Sequence, residues 1–444
     1  MSETAVEKRL PLQVSEMAET LIGSEIIKLA AEINEKIRKG EKIYNYTIGD
    51  FDPAIFPIPT ELNDAIIKAY KEHQTNYPAA NGMVELRKAA AEFLLEKQNQ
   101  SYTPDEVLIS AGARPLIYAV YTTLLDPGES VVFPVPSWNN NHYCHLARVN
   151  PVFMETSAEN NFMPVADDIR PHIQNVTLIA LCSPLNPTGT VFGKKQLEDI
   201  CDLILEENKR RGANEKPVYL LYDQIYWILT YGNTKHYDPV SLRPAMKDYT
   251  IFIDGISKSF AATGVRVGWA TGPRAIIDKM KAILSHVGAW APKAEQVAVA
   301  EFLRNKKALD AFLVHFKDQI NNRLQGFYNG FVKLKNEGFN VHSIAPQAAI
   351  YLTIRFDLKG KKTDGGKILQ TQKDVTQYIL DEAKLALVPF RAESCGSANM
   401  VALPFCAIKF NCAFIPILTR LKTFKLEERG MPVTLPSRFV IGLV

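Results

Sequence analysis

The chain lacks the features that would mark it for a membrane, a nucleic acid or an oxidising compartment. Its six cysteines, Cys144, Cys182, Cys201, Cys395, Cys406 and Cys412, are spread over 444 residues, and no two have CxxC spacing. Neither a zinc site nor a redox pair is therefore visible, and such sparse use suits a reducing, cytoplasmic setting. No sign of charge dominates: 51 Lys and Arg against 48 Asp and Glu leave a net +3, so there is no electrostatic reason to expect nucleic acid or an anionic membrane as partner. The longest apolar tract, Ala402 to Leu418, is interrupted by Lys409 and Asn411 and is not expected to span a bilayer. The opening MSETAVEKRL has no apolar core, and no secretory signal is expected. Internal repeats and low-complexity tracts are also missing. What the chain does have is a 47% hydrophobic, 22% charged composition, which is ordinary for a globular protein. Its length allows two or three domains and a large core.

Ser24 to Lys39 has Ile26, Ile27, Ala30, Ile33 and Ile37 at helical spacing, with Gly40 as a stop, and predicts an amphipathic helix. TIGDFDPAIFPIP follows as a shaped loop. From about Val107, short β-rich runs alternate with longer helical ones: VLIS, SVVFPVP, NPVFMET, VTLIALC, VYLLY, TIFIDG and VRVGWAT. These strands are apolar on both faces, as in a mostly parallel sheet covered by helices, so the fold class is α/β. Helical patterns return from about Ala298, and AIYLTIRF and LALVPF then predict strands of a smaller α+β unit. The N-terminal helix and the C-terminal third are each too small to stand alone and are expected to build that unit together.

Five segments carry chemistry. In DGISKSFAATGVRVGW, Lys258 follows an apolar strand and Arg266 lies eight residues on. A lysine at a buried strand end is poorly solvated, which favours its neutral, nucleophilic form, and an arginine offers a planar fork to a phosphate or carboxylate. In SPLNPTG, two prolines fix Asn186 at the carboxyl edge of the sheet, where open α/β sheets bind ligands. In YLLYDQIY, Asp223 ends a strand and Tyr226 lies three residues later. A carboxylate there either meets a cation or caps the next helix. In SAGARPL, the backbone N–H groups of Ala113 and Arg114 open a helix and suit an anion. In PVPSW, Trp138 follows a strand and either stacks on a flat ring or packs the core. Each segment alone also fits a plainer role in packing or turns.

Together, in this order and spacing, they resemble the class I/II aminotransferases, fold-type I enzymes that use pyridoxal 5′-phosphate (PLP). The resemblance runs from about Ser24 to about Pro389. It implies a large PLP-binding domain at residues 47–299 and a small domain made of residues 1–46 and 300–444. It implies that Lys258 forms the Schiff base with PLP and shuttles the proton. Arg266, Ser257 and the Ala113 and Arg114 amides would bind the phosphate. Asn186 and Tyr226 would contact the ring hydroxyl, Asp223 the pyridinium nitrogen, and Trp138 the ring face. Tyr77, in NYPAANGMVELR, would reach the phosphate of a second subunit in a homodimer. Gly49 keeps its place in GDFDP, and with Asn186 it would touch substrate. The Asn186–Pro187 bond would be cis. The reaction implied is transfer of an amino group from an L-amino acid of the aspartate or aromatic class to a 2-oxo acid such as 2-oxoglutarate. A β-lyase acting on sulfur amino acids and a PLP-binding sensor are the alternatives. The residues before Ser24 are too few for the sensor's helix-turn-helix module.

Two departures stand out. Gly255 occupies a position where the family often has serine. After about residue 391 the tail has only Glu427 and Glu428 against six basic residues from Cys395 onward, and three of the six cysteines fall there. The arginine that the family uses for the substrate carboxylate has three candidate stand-ins, Lys409, Arg420 and Arg438. The tail is either divergent or read in a shifted frame, and is expected to be its least ordered part.

Overall fold

The computed structural model describes residues 13–21, 25–363, 365–390, 400–404 and 440–441. The expected N-terminal helix forms over Glu25–Arg38 and ends before Gly40, whose φ is +88°. It buries Ile33 against Leu380 and Ala386, and Lys36 pairs with Asp381 at 2.9 Å. Ile37, placed on the apolar face by its spacing, is instead 43% exposed, because the stripe facing the helix Gln372–Ala383 is narrower than the apolar spacing suggested. Just beyond, β1 (Tyr44–Asn45) pairs in parallel with a strand near residue 385, so the N-terminal segment joins the C-terminal part of the fold.

The central sheet has seven strands: β2 (Val107–Ser110), β3 (Ser130–Val135), β4 (Asn150–Glu155), β5 (Leu178–Cys182), β6 (Tyr219–Asp223), β7 (Thr250–Gly255) and β8 (Gly268–Thr271). Their spatial order is β2-β8-β7-β6-β5-β3-β4. All adjacent pairs from β7 across to β4 are parallel, whereas β8 is antiparallel to both β7 and β2. Six strands therefore run one way and place their carboxyl ends on one edge, and β8 starts from that same edge. The apolar runs are explained by burial on both faces. On β6, Leu220 and Tyr222 enter one core and Leu221 the other, as alternation across a strand requires.

A second sheet contains β9 (Val341–Ser343), β10 (Tyr351–Phe356), β12 (Val388–Phe390), β13 (Met400–Pro404) and β14 (Val440–Ile441). The run LALVPF, read as one strand, is divided: β11 (Leu385–Ala386) joins β1 and β12 joins β13. The turn Leu185–Gly189 is tied to this sheet through Thr353, whose hydroxyl donates to the Thr188 carbonyl at 2.9 Å. No helix among the described residues is long and apolar enough to cross a membrane.

Leu221 is 1% exposed in the middle of the sheet. Leu221→Ala should cost about 2–5 kcal/mol of stability, read as a lower midpoint in urea denaturation. A loss below about 1 kcal/mol would contradict the packing described.

Candidate active site

The shared carboxyl edge gathers the segments singled out in the sequence. β2 runs through Ala111 and Gly112 into the helix Ala113–Leu124. Gly112 has φ +87°, and a Cβ there would collide with the Arg266 guanidinium. No side chain caps this helix, so its first N–H groups, those of Ala113 and Arg114, are available to an anion. Arg266 takes a left-handed conformation, φ +62°, which is uncommon for a non-glycine residue and often marks a functional site. Its guanidinium donates to the Ala111 carbonyl and the Thr263 carbonyl, each at 2.8 Å. Ser257 is buried in the short helix Ile256–Ser259 that also carries Lys258.

Lys258 follows β7 directly. Its ammonium donates to the Gly49 carbonyl and lies 5.9 Å from the ring centres of both Tyr226 and Phe51. The loop carrying Gly49 is pinned by Thr263, whose hydroxyl donates to the Asp50 carboxylate at 2.6 Å. Asp223 ends β6, in register with Cys182 on one side and Ile253 on the other. Its carboxylate accepts the Ile225 N–H at 3.1 Å. Burial pushes its pKa up to about 6, with the Ile225 N–H opposing. Tyr226 is buried, and its hydroxyl shares a hydrogen bond with that of Tyr351 on β10.

Asn186 sits after β5, and the Asn186–Pro187 bond is cis, as expected. The Asn186 side-chain oxygen is buried with no hydrogen-bond partner in the protein, an orphaned polar group of the kind a bound ligand satisfies. Trp138 lies just past β3 and is partly buried against the main core. Tyr77 stands apart from these groups at the surface, 82% exposed, with its ring edge-on to Trp290 at 5.2 Å. Lys409, Arg420 and Arg438 lie outside the described residues. β13, the described strand that follows β12, contains no basic residue.

The serine-to-glycine departure at Gly255 has a packing reason. A Cβ there would lie 2.8 Å from the Gly268 Cα and 2.9 Å from the Val267 carbonyl oxygen, so no hydroxyl can be carried at this point without displacing β8.

Sequence reasoning missed three side chains. Tyr351 was inside a run read only for its strand pattern. Phe51 was inside a run read only as a loop, and it packs with Phe56 and Phe316 beside Lys258. Asp254 opens the lysine segment, where its local spacing points to no role. It is 1% exposed, and burial pushes its pKa up to about 8, with nearby Asp223 adding to the rise.

The arrangement is a lysine, a partly buried carboxyl group and an uncapped helix N-terminus beside an arginine, all on the carboxyl edge of an α/β sheet, a set that suits a phosphate-bearing cofactor. Residues 43–403 match the family model for aminotransferase class I and II, and the chain belongs to that family. It is 28% identical over 372 residues to an aspartate aminotransferase of Bacillus sp. (strain YM-2), covering 83% of this chain and 89% of the relative. It is likewise 28% identical to a bifunctional aspartate aminotransferase and glutamate/aspartate-prephenate aminotransferase of Petunia hybrida, covering 86% of this chain and 77% of the relative. The crystal structure of the aspartate aminotransferase of Rhizobium meliloti superposes with a TM-score of 0.84 at 25% identity, covering 94% of this chain and all of that one. The protein is thus a PLP-dependent aminotransferase. The cradle at Gly112, the orphaned Asn186 oxygen and the donor set fit that cofactor.

Asp223 and Asp254 both keep their protons to higher pH when folded than an unfolded aspartate, which titrates near about 3.9. The stability this confers is full below about pH 4 and is lost as pH rises through the folded values, about 6 for Asp223 and about 8 for Asp254. The cofactor-free protein should therefore weaken across that window in urea denaturation. The Asp223→Asn/Asp254→Asn variant should show a flatter dependence, and an unchanged slope would contradict the assignment.

Proposed function

We propose that the protein moves the amino group of an L-amino acid of the aspartate or aromatic class to a 2-oxo acid such as 2-oxoglutarate, with Lys258 as the residue that holds PLP covalently and carries the proton. The observation that carries this reading is the convergence of Lys258, Asp223 and the Arg266–Gly112 cradle on one sheet edge. PLP supplies an electron sink when bound. Asp223 would keep a proton on the ring nitrogen, and Asn186 and Tyr226 would hold the ring hydroxyl. Trp138 would stack on the ring. Arg266, Ser257 and the Ala113 and Arg114 amides would fix the phosphate, a part that does not react. The Lys258 amine, when free, would be the base that moves the substrate's Cα proton.

The names of the relatives support the aspartate class. Phe51, Phe56 and Phe316, packed beside Lys258, suit an aromatic donor. Gly49 and Asn186 border the substrate position. A homodimer is part of this reading: Tyr77, 82% exposed at the surface, would complete the phosphate site of a second copy. Residues 47–299 form the large domain in this reading, and residues 1–46 with 300–444 form the small one. The setting is cytoplasmic amino-acid metabolism.

Borohydride reduction of the PLP-loaded protein should attach the cofactor to the peptide containing Lys258, identified by mass spectrometry, and a label on any other lysine would refute the reading. Lys258→Ala should abolish turnover while the far-ultraviolet circular dichroism stays unchanged. Asp223→Ala should still bind PLP but lose several orders of magnitude in kcat; near-normal activity would place the pyridine partner elsewhere.

A further inference from the structure

One buried carboxyl group beside the site has no part in the chemistry above. Asp254 is the fifth residue of β7, four residues before Lys258. Its Oδ2 accepts the indole N–H of Trp227 at 2.8 Å, and its Oδ1 accepts the Gly255 N–H at 2.7 Å. Trp227 ends the segment that begins with Asp223 and contains Tyr226. It is 8% exposed and wedged between Phe93, at 5.8 Å between ring centres, and His236, at 6.3 Å. Behind it, Gln224 is fully buried, donates to Gln98 at 2.9 Å, and meets His236 at 3.4 Å. Asp223 and its Ile253 neighbour align the two strands only through backbone pairing. Beyond the end of β6, Trp227 is joined to Asp254 on β7 through side chains.

We propose that Asp254 is a positioning residue: through the Trp227 indole it fixes the segment bearing Lys258 against the turn bearing Asp223 and Tyr226. This rests on the reading of Lys258 and Asp223 as the groups that hold PLP. The backbone ladder between the two segments continues to the Gln224 N–H, which donates to the Ile253 carbonyl at 3.0 Å, and three residues further on the side-chain bond holds Trp227 to Asp254. Positioning errors of about 1 Å are costly in catalysis. The bond needs an acceptor oxygen, not a full charge: burial favours the neutral form of Asp254, whose carbonyl oxygen still accepts the indole N–H. Asparagine keeps that one oxygen for Trp227 but loses the contact with the Gly255 N–H, whereas an aliphatic side chain keeps neither.

The test compares Trp227→Phe, Asp254→Asn, Asp254→Leu and the Trp227→Phe/Asp254→Leu double variant as PLP-loaded proteins. Trp227→Phe and Asp254→Leu should each lower kcat about tenfold, leave KM for the amino donor within about twofold, and move the pH of the cofactor's visible-absorbance transition by about half a unit or more. Asp254→Asn should recover most of both properties, and the double variant should be no worse than the worse single one, because one bond is lost in each. Additive losses, or a lower melting temperature with kcat and the absorbance transition unchanged, would overturn the proposal. If Asp254→Leu does not fold, the contrast between Trp227→Phe and Asp254→Asn decides alone. A failure of the underlying PLP reading shows differently: the parent protein itself would then lack the absorbance transition, or carry the borohydride label on another lysine.

Discussion

A Cβ on Gly268 would lie 2.8 Å from the carbonyl carbon of Gly112, so the start of β8 and the start of the helix Ala113–Leu124 can meet only as bare backbone. The same closeness recurs one strand over, between Gly255 and Gly268. These contacts let three chain segments share the space of one. They bring the helix N-terminus, the Arg266 side chain and the Ser257–Lys258 turn to a single point on the sheet edge. Widening any of them by a methyl group would push the anion cradle away from the lysine. The antiparallel insertion of β8 serves the same end, because β8 starts at the carboxyl edge and so leaves Arg266, two residues before it, on that edge.

Burial then sets the chemistry. The carboxyl ends of six strands supply polar groups to a place that their apolar residues have already made dry. In that setting Asp223 holds a proton more readily than it would in water, and a cationic ring nitrogen, as proposed for PLP, would reverse the penalty. The neighbouring Asp254 is deeper still: it keeps its proton to higher pH and meets two N–H donors of the protein. The two aspartates thus differ in setting, Asp223 partly buried at a strand end and Asp254 enclosed among protein groups.

Much of this was legible in the sequence because the α/β alternation is strong. Apolar runs fixed the strands of the large sheet, and the residues following each run, such as Asn186, Asp223 and Lys258, had to lie at the edge where ligands bind. Side chains that act across segments were not legible. Tyr351 reaches Tyr226 from a different sheet, and the Trp227–Asp254 bond spans 27 residues, so no local spacing announces either. Ile37 failed for a related reason: periodicity shows that a helix has an apolar face but not how wide its partner is. The division of LALVPF between two sheets was equally hidden, since a continuous apolar run does not show where its hydrogen-bonding partner changes. The basic residues of the tail could be enumerated but not ranked, because their roles depend on tertiary placement.

The most direct measurement of the central claim is a single half-reaction. The PLP-loaded protein is mixed with L-aspartate or L-phenylalanine in the absence of any 2-oxo acid, and the cofactor absorbance is followed while the products are identified. The account predicts stoichiometric conversion of PLP to pyridoxamine phosphate with one 2-oxo acid released per site, reversed on adding 2-oxoglutarate. Retention of PLP with either donor, or release of pyruvate and ammonia from a sulfur amino acid in its place, would contradict it.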